Sequence, residues 1–209
     1  MPSSSAPADE KGAFMAATAI ALQDTVIDHA FFFRADSGRD PHYGFVDPGG
    51  VGDVDGRPDE RSRALALTGR AMQGRRLPIT GGDESGLAGI AGRDGDRVRV
   101  LVANYAAPDS ALAPRDEDRF TFRIPIGEQR IELGLTLPPQ RADLASARVE
   151  SIVLDLRRLP WAGRTVTVTT ASMTGAVGTP RDAEVSADGS LQLEFAVPPQ
   201  SVLLVELTA

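Results

Sequence analysis

Residues 26–36 read VIDHAFFFRAD, and the three consecutive phenylalanines, Phe31, Phe32 and Phe33, decide how the chain is divided. Side chains alternate across a strand, so a run of adjacent large apolar residues makes both faces apolar, the pattern of a parallel strand covered on two sides. A helix is predicted on each flank. Residues 13–24, AFMAATAIALQD, follow Asp9 and Glu10, acids suited to a helix's positive end. They are apolar nearly all round, as in a helix packed on more than one side. Residues 37–57 are glycine-rich and read as a long loop, while residues 58–72, PDERSRALALTGRAM, place Pro and acids in a first turn and Arg near a helix end. Residues 1–12 read as an irregular leading loop.

Helix, two-sided strand, loop, helix is the grammar of a (β/α) unit, yet only one such strand occurs. Its two margins need hydrogen-bonding neighbours. Either it joins the antiparallel strands that follow, or residues 1–74 are the remnant of a larger (β/α)8 barrel whose other strands lie upstream or on another chain. The second is the expectation taken forward.

After Gly74 the pattern changes to short runs of period two separated by turn signals. Residues 86–91 and 98–105 flank Arg93-Asp94-Gly95-Asp96, a hairpin signal, and Ala187-Asp188-Gly189 marks another tight turn. With residues 120–126, 130–137, 149–156, 165–170, 191–197 and 202–207 these runs predict about eight strands in an antiparallel sandwich or barrel. The fold class expected is therefore mainly β, an antiparallel β-sandwich over residues 75–209 preceded by a helix–strand–helix barrel remnant over residues 1–74.

Composition narrows the function. The chain has 209 residues, 42% hydrophobic and 24% charged, as in ordinary globular proteins. A net charge of -7, with no basic run longer than the Arg75-Arg76 and Arg157-Arg158 pairs, argues against nucleic acid as a partner. The absence of cysteine excludes disulfides, thiolate metal sites and cysteine nucleophiles. His29 and His42 do not make a zinc set by themselves, so no metal and no cofactor is expected. The longest apolar stretch, residues 13–22, is shorter than the ~20 residues that cross a bilayer, and no basic region precedes it as in a secretory signal. A soluble, membrane-free protein is expected, cytoplasmic if Met1 is the true start.

Five stretches carry a resemblance: SSSAPADEKGAFMAATAIALQ (3–23), VIDHAFFFRADSG (26–38), RAMQGRRLPITGG (70–82), GLAGIAGRDGDRVRVLVANYAA (86–107) and VPPQSVLLVEL (197–207). In this order they resemble the C-terminal part of clan A glycoside hydrolases, above all family 39 and its β-xylosidase-like members. The resemblance implies the last barrel unit followed by a β-sandwich, and retaining hydrolysis of O-glycosides by the full-length parent. It also implies that both catalytic glutamates lie on barrel strands upstream of Met1, so neither falls on a residue of this chain. The chain alone is then expected to be inactive, its partners a carbohydrate bound through the parent enzyme and a missing barrel segment or an oligomer partner.

Retaining hydrolysis needs two carboxyl groups about 5–5.5 Å apart, one with a raised pKa. Asp36, which follows the two-sided strand, would lie at the mouth where barrel sites assemble. A loop-capping or Arg-pairing role is the simpler reading for it, and Asp24, Asp59 and Glu60 read as helix-end or solvated charges. Arg34 and His42 as donors and Tyr43 as a stacking ring would complete a sugar-binding wall, or serve only to structure the loop. The alternative to an enzyme section is a stand-alone carbohydrate-binding or structural module, with Trp161 in LPWAG as its sugar platform. The bland reading is that this ring packs across a junction.

Overall fold

The computed structural model describes residues 8–26, 59–81, 87–105, 119–126, 129–136 and 149–209. The phenylalanine-rich stretch and its glycine loop, residues 27–58, lie outside the described residues, as does the expectation that rests on them.

Both helices form. The first, α1 (Ala8–Leu22), has Asp9 and Glu10 in its opening turn. The second, α2 (Glu60–Ala71), is capped by Asp59, whose carboxylate accepts a hydrogen bond of 2.9 Å from the Ser62 amide. Such a cap satisfies an amide that the helix leaves without a partner. The helices pack closely near their N-termini: a Cβ added at Gly12 would stand 3.1 Å from the Glu60 carbonyl oxygen and 3.3 Å from Ala64 Cβ. Past their C-termini, Asp24 pairs with Arg76 at 2.8 Å. The two helices therefore run parallel, so the chain leaves α1 at one end of the pair and enters α2 at the other.

Ten strands follow among the described residues: β1 (Arg75–Leu77), β2 (Leu87–Asp94), β3 (Arg97–Asn104), β4 (Arg119–Ile126), β5 (Gln129–Thr136), β6 (Glu150–Leu156), β7 (Thr165–Ser172), β8 (Arg181–Glu184), β9 (Leu191–Val197) and β10 (Ser201–Thr208). All the pairings between them are antiparallel. Six strands form one sheet in the order β1-β2-β3-β10-β7-β8, while β4-β5 and β6-β9 are two-stranded. The predicted turn between β2 and β3 is present, with Gly95 in the left-handed region at φ 57 where a side chain would be strained. Strands β1 and β8 were not expected from the pattern. At three and four residues, RRL and RDAE, they are too short and too polar to show alternation, and their charges suit sheet edges.

The middle of the large sheet is covered on both sides. On one face Leu101, Ala103, Val202 and Leu204 pack against Ala16 and Ile20 of α1 and Ala64, Leu67 and Ala71 of α2. On the other, Val98, Val166, Val168, Val205 and Leu207 pack with Leu191 and Leu193 of β9, and Leu154 and Leu156 of β6 close over them. Two-sided burial explains why β10 reads SVLLVELT, with little alternation, whereas β6 alternates between half-buried and exposed positions and β9 between covered and exposed ones. The fold is thus a mainly β, antiparallel domain preceded by helices, as expected. Helices, six-stranded sheet and β6–β9 ribbon stack as three layers.

Because Leu204 is 1% exposed beneath the helices, Leu204→Ala should lower unfolding free energy by about 2–5 kcal/mol in urea titration. Val149→Ala, at a position 59% exposed, should stay within about 0.5 kcal/mol of the unmodified chain.

Candidate functional site: the helix–sheet junction

Among the described residues the fold buries two arginines: Arg61, paired with Asp59 in the first turn of α2, and Arg99, where the C-terminus of α2 meets the sheet. Strand register aligns Gly92 of β2, Arg99 of β3, Glu206 of β10 and Thr169 of β7 in one row across four strands. Arg99 shares the helix-facing side of its strand with Leu101 and Ala103, and Glu206 shares it with Val202 and Leu204, so both charges stand in an apolar layer. Each is retained by the other. Arg99 Nε donates to Glu206 Oε2 at 2.6 Å, with the two side chains only 4% and 14% exposed.

The row is also a seat for the helix. Arg99 Nη1 lies 3.4 Å from the Arg70 carbonyl oxygen and 3.4 Å from Gln73 Oε1. A cation there faces the negative end of the α2 dipole, and the Arg70 carbonyl, which also accepts from the Gln73 amide at 3.3 Å, takes the guanidinium as a second donor. Arg70 reaches back to Glu206 Oε2 at 3.4 Å. Gly92 provides the clearance, since a Cβ at that position would stand 2.5 Å from the Ala71 carbonyl oxygen. At the far end of the helix, Arg63 Nε donates to the Met173 carbonyl at 2.7 Å, tying α2 to the residue that follows β7.

Electrostatics here favour fixed charge. Burial pushes the Glu206 carboxyl up, but the Arg99 hydrogen bond and the charges of Arg99, Arg70 and Arg97 outweigh it and hold the group below the ordinary glutamate range. Two other carboxyls are also held low, Asp24 by its hydrogen bond to Arg76 and Asp188 by those from Ser190. A general acid needs the opposite, a carboxyl held high. Tyr105 is pushed up by burial and by the Glu10 charge, with its ring edge-on to Phe14 at 5.3 Å. What the junction does chemically is fasten α2 in place.

The sequence-predicted site is not brought together here. Arg34, Asp36, His42 and Tyr43 lie outside the described residues. Trp161 is 3% exposed and packs with Leu159, Val185 and Leu191, so the packed reading is the observed one and the ring offers no face for stacking a sugar. Asp59 is the cap anticipated at a helix end, and Asp24 a surface ion-pair partner. Gly92, Arg99 and Glu206 were not singled out from the sequence. The signal was present all the same: a lone Arg and a lone Glu occupy the alternate set that is otherwise apolar in VRVLVA and VLLVEL.

Over its whole length the chain is 36% identical to a glucosidase from Croceicoccus marinus, whose crystal structure it matches with a TM-score of 0.75, spanning 44% of that protein. It also covers 96% of its length on a family 39 glycoside hydrolase from Xanthomonas axonopodis pv. citri at a TM-score of 0.58 and 12% identity. A monomeric β-xylosidase from Caulobacter crescentus CB15 matches at a TM-score of 0.56 and 12% identity, again over 96% of the chain. The chain spans 40% and 41% of those two proteins, less than half of each relative. No protein-family model and no curated protein matches it. The resemblance to glycosidases, family 39 included, is thus borne out at the level of the fold.

Removing one partner leaves the other charge buried alone, so Glu206→Ala should cost about 3–5 kcal/mol of stability. Replacing both, Arg99→Leu with Glu206→Leu, should recover most of that loss, as read by urea titration of the three variants. The pH dependence follows from the lowered carboxyl of Glu206. Its stabilisation is full above the ordinary glutamate range and is lost as pH falls through the lowered folded value. The stability gap between the unmodified chain and Glu206→Gln should therefore narrow on acidification into that range and stay constant near neutrality.

Proposed function

We propose that this chain is the C-terminal section of a retaining glycoside hydrolase of the family 39, β-xylosidase-like type. In this reading residues 1–74 close a catalytic (β/α)8 barrel and residues 75–209 form the β domain that braces it. The observation that carries the reading is the 36% identity to a glucosidase along the full length of the chain. The parallel run of α1 and α2 supports it, because consecutive parallel helices with a strand between them are the repeating unit of such a barrel.

The chemistry of the described residues points the same way. Hydrolysis with retention takes two carboxyl groups on opposite sides of the glycosidic bond, one of them held protonated. The described carboxyls with displaced pKa values, Asp24, Asp188 and Glu206, are all held low. The catalytic pair in this reading comes from barrel strands that precede α1 in the complete enzyme. This chain's part is positional. Arg34, Asp36, His42 and Tyr43 stand in the segment between the two helices and are assigned to the sugar-binding wall. Their placement depends on how firmly α1 and α2 are held, and small misplacements in a glycosidase site are costly, since about 1 Å can lower rate a hundredfold. The row formed by Gly92, Arg99 and Glu206 supplies that firmness.

The test uses aryl β-xylosides and aryl β-glucosides. The 209-residue chain by itself should give no turnover, whereas the longest in-frame product containing it should hydrolyse at least one of them. Arg99→Leu in that longer product should lower its inactivation temperature by several degrees, an expected result of losing a buried charge partner. Turnover by the isolated chain, or inactivity of the longer product on every glycoside, would count against the assignment.

A further inference from the structure

The helix pair meets the sheet at two ends, and the contacts differ in kind. At the helix N-termini, Tyr105, the residue after β3, sets its ring edge-on to Phe14 with the centroids 5.3 Å apart. Met173, the residue after β7, is buried there, and a Cβ added at Gly12 would stand 3.2 Å from its sulfur. Its carbonyl accepts from Arg63, and its amide donates to the Val202 carbonyl at 3.3 Å, which carries the contact into β10. At the helix C-termini the contacts are charged: Asp24 meets Arg76, and Arg99 meets the Arg70 carbonyl.

Strand register identifies the two ends of the sheet. Ser201 pairs with Asn104 and Leu203 with Ser172, so β3 and β7 both finish at the end where β10 begins. Tyr105 and Met173 mark that end, level with the N-termini of α1 and α2. In a (β/α) barrel each helix runs back along the strand before it. Helices therefore begin at the face where strands finish, and that face carries the site. On the barrel reading, the Tyr105 end of the β domain adjoins the mouth and the Arg76 end lies at the opposite face.

We infer that Tyr105 is a positioning residue of the proposed hydrolase, holding the start of α1 at the mouth from the adjoining end of the β domain; this rests on the barrel reading. The ring is the means. Phe14 lies in the second turn of α1, so an edge-to-face contact on it fixes the direction in which the chain enters the helix. Misplacement of about 1 Å can lower rate a hundredfold, so loss of this contact is felt in catalysis. Loss of the Asp24–Arg76 pair, at the far face, is felt in stability alone.

Two measurements test this. In the 209-residue chain, Tyr105→Ala should speed hydrogen exchange of the amides of residues 12–15 at least roughly tenfold and leave those of residues 19–22 unchanged. The second uses the longest in-frame product, assayed on aryl β-glycosides well below its inactivation temperature. There Tyr105→Ala should lower kcat/KM at least roughly tenfold, while Tyr105→Phe and Arg76→Ala should each keep it within about threefold of the unmodified product. Unchanged kcat/KM in folded Tyr105→Ala, an equal loss from Arg76→Ala, or unchanged exchange at residues 12–15 would overturn the assignment. Should Tyr105→Ala prevent folding, Phe14→Leu, which keeps apolar bulk and removes the ring pair, serves in both measurements with the same outcomes. Inactivity of the unmodified product on every glycoside would remove the hydrolase reading and this role with it. The exchange result, which needs no activity, tells the two failures apart.

Discussion

The buried pair between Arg99 and Glu206 constrains everything around it. A guanidinium and a carboxylate in an apolar layer stay ionised only if each finds the other and the remaining donors find acceptors. That requirement fixes the β3–β10 register, in which the two residues stand opposite, and it fixes the end of α2, where the Arg70 carbonyl and the Gln73 side chain accept from Arg99 Nη1. Hydrophobic burial alone would let α2 slide along a sheet of similar small residues. The pair gives it one position. Clearance at Gly92 and the contact between Arg63 and the Met173 carbonyl set the helix's height and its other end.

From this anchoring the layers follow in order. Once α2 is seated, α1 fits beside it through the close contact at Gly12, and the helices cover the face carrying Leu101 and Leu204. The opposite face, with Val100 and Val205, is left for the second sheet. A central pair of strands with apolar side chains on both faces is therefore the common core of a helical layer and a β layer. The cluster beneath the helices contains residues from both sides of Gly74, so α1, α2 and the strands after them share one apolar layer.

Much of this was legible in the sequence. The two helices could be read from their apolar content and acidic first turns, and eight strands from period two and from glycine turns such as Asp94-Gly95. The edge strands β1 and β8 escaped because three or four polar residues carry no periodicity, and a sheet edge is defined by its neighbour. The junction escaped for a different reason. A single Arg in VRVLVA reads as a solvent-facing charge until the register shows Glu206 across from it, and register is a long-range property that no local window contains. For Trp161 the composition of LPWAG admits both a platform and a plug, and only the fold, by placing Val185 and Leu191 around the ring, separates them. The phenylalanine-rich stretch that led the reading of residues 1–74 lies outside the described residues.

Through the charged row, α2 and the six-stranded sheet are fastened into one cooperative unit. Native-state hydrogen exchange of α2 amides, compared with those of β3 and β10 as denaturant is raised, measures this directly. The protected amides of α2 should merge with those of the sheet into one opening of the same free energy and denaturant dependence. Opening of α2 at much lower free energy, with β3 and β10 still closed, would contradict it.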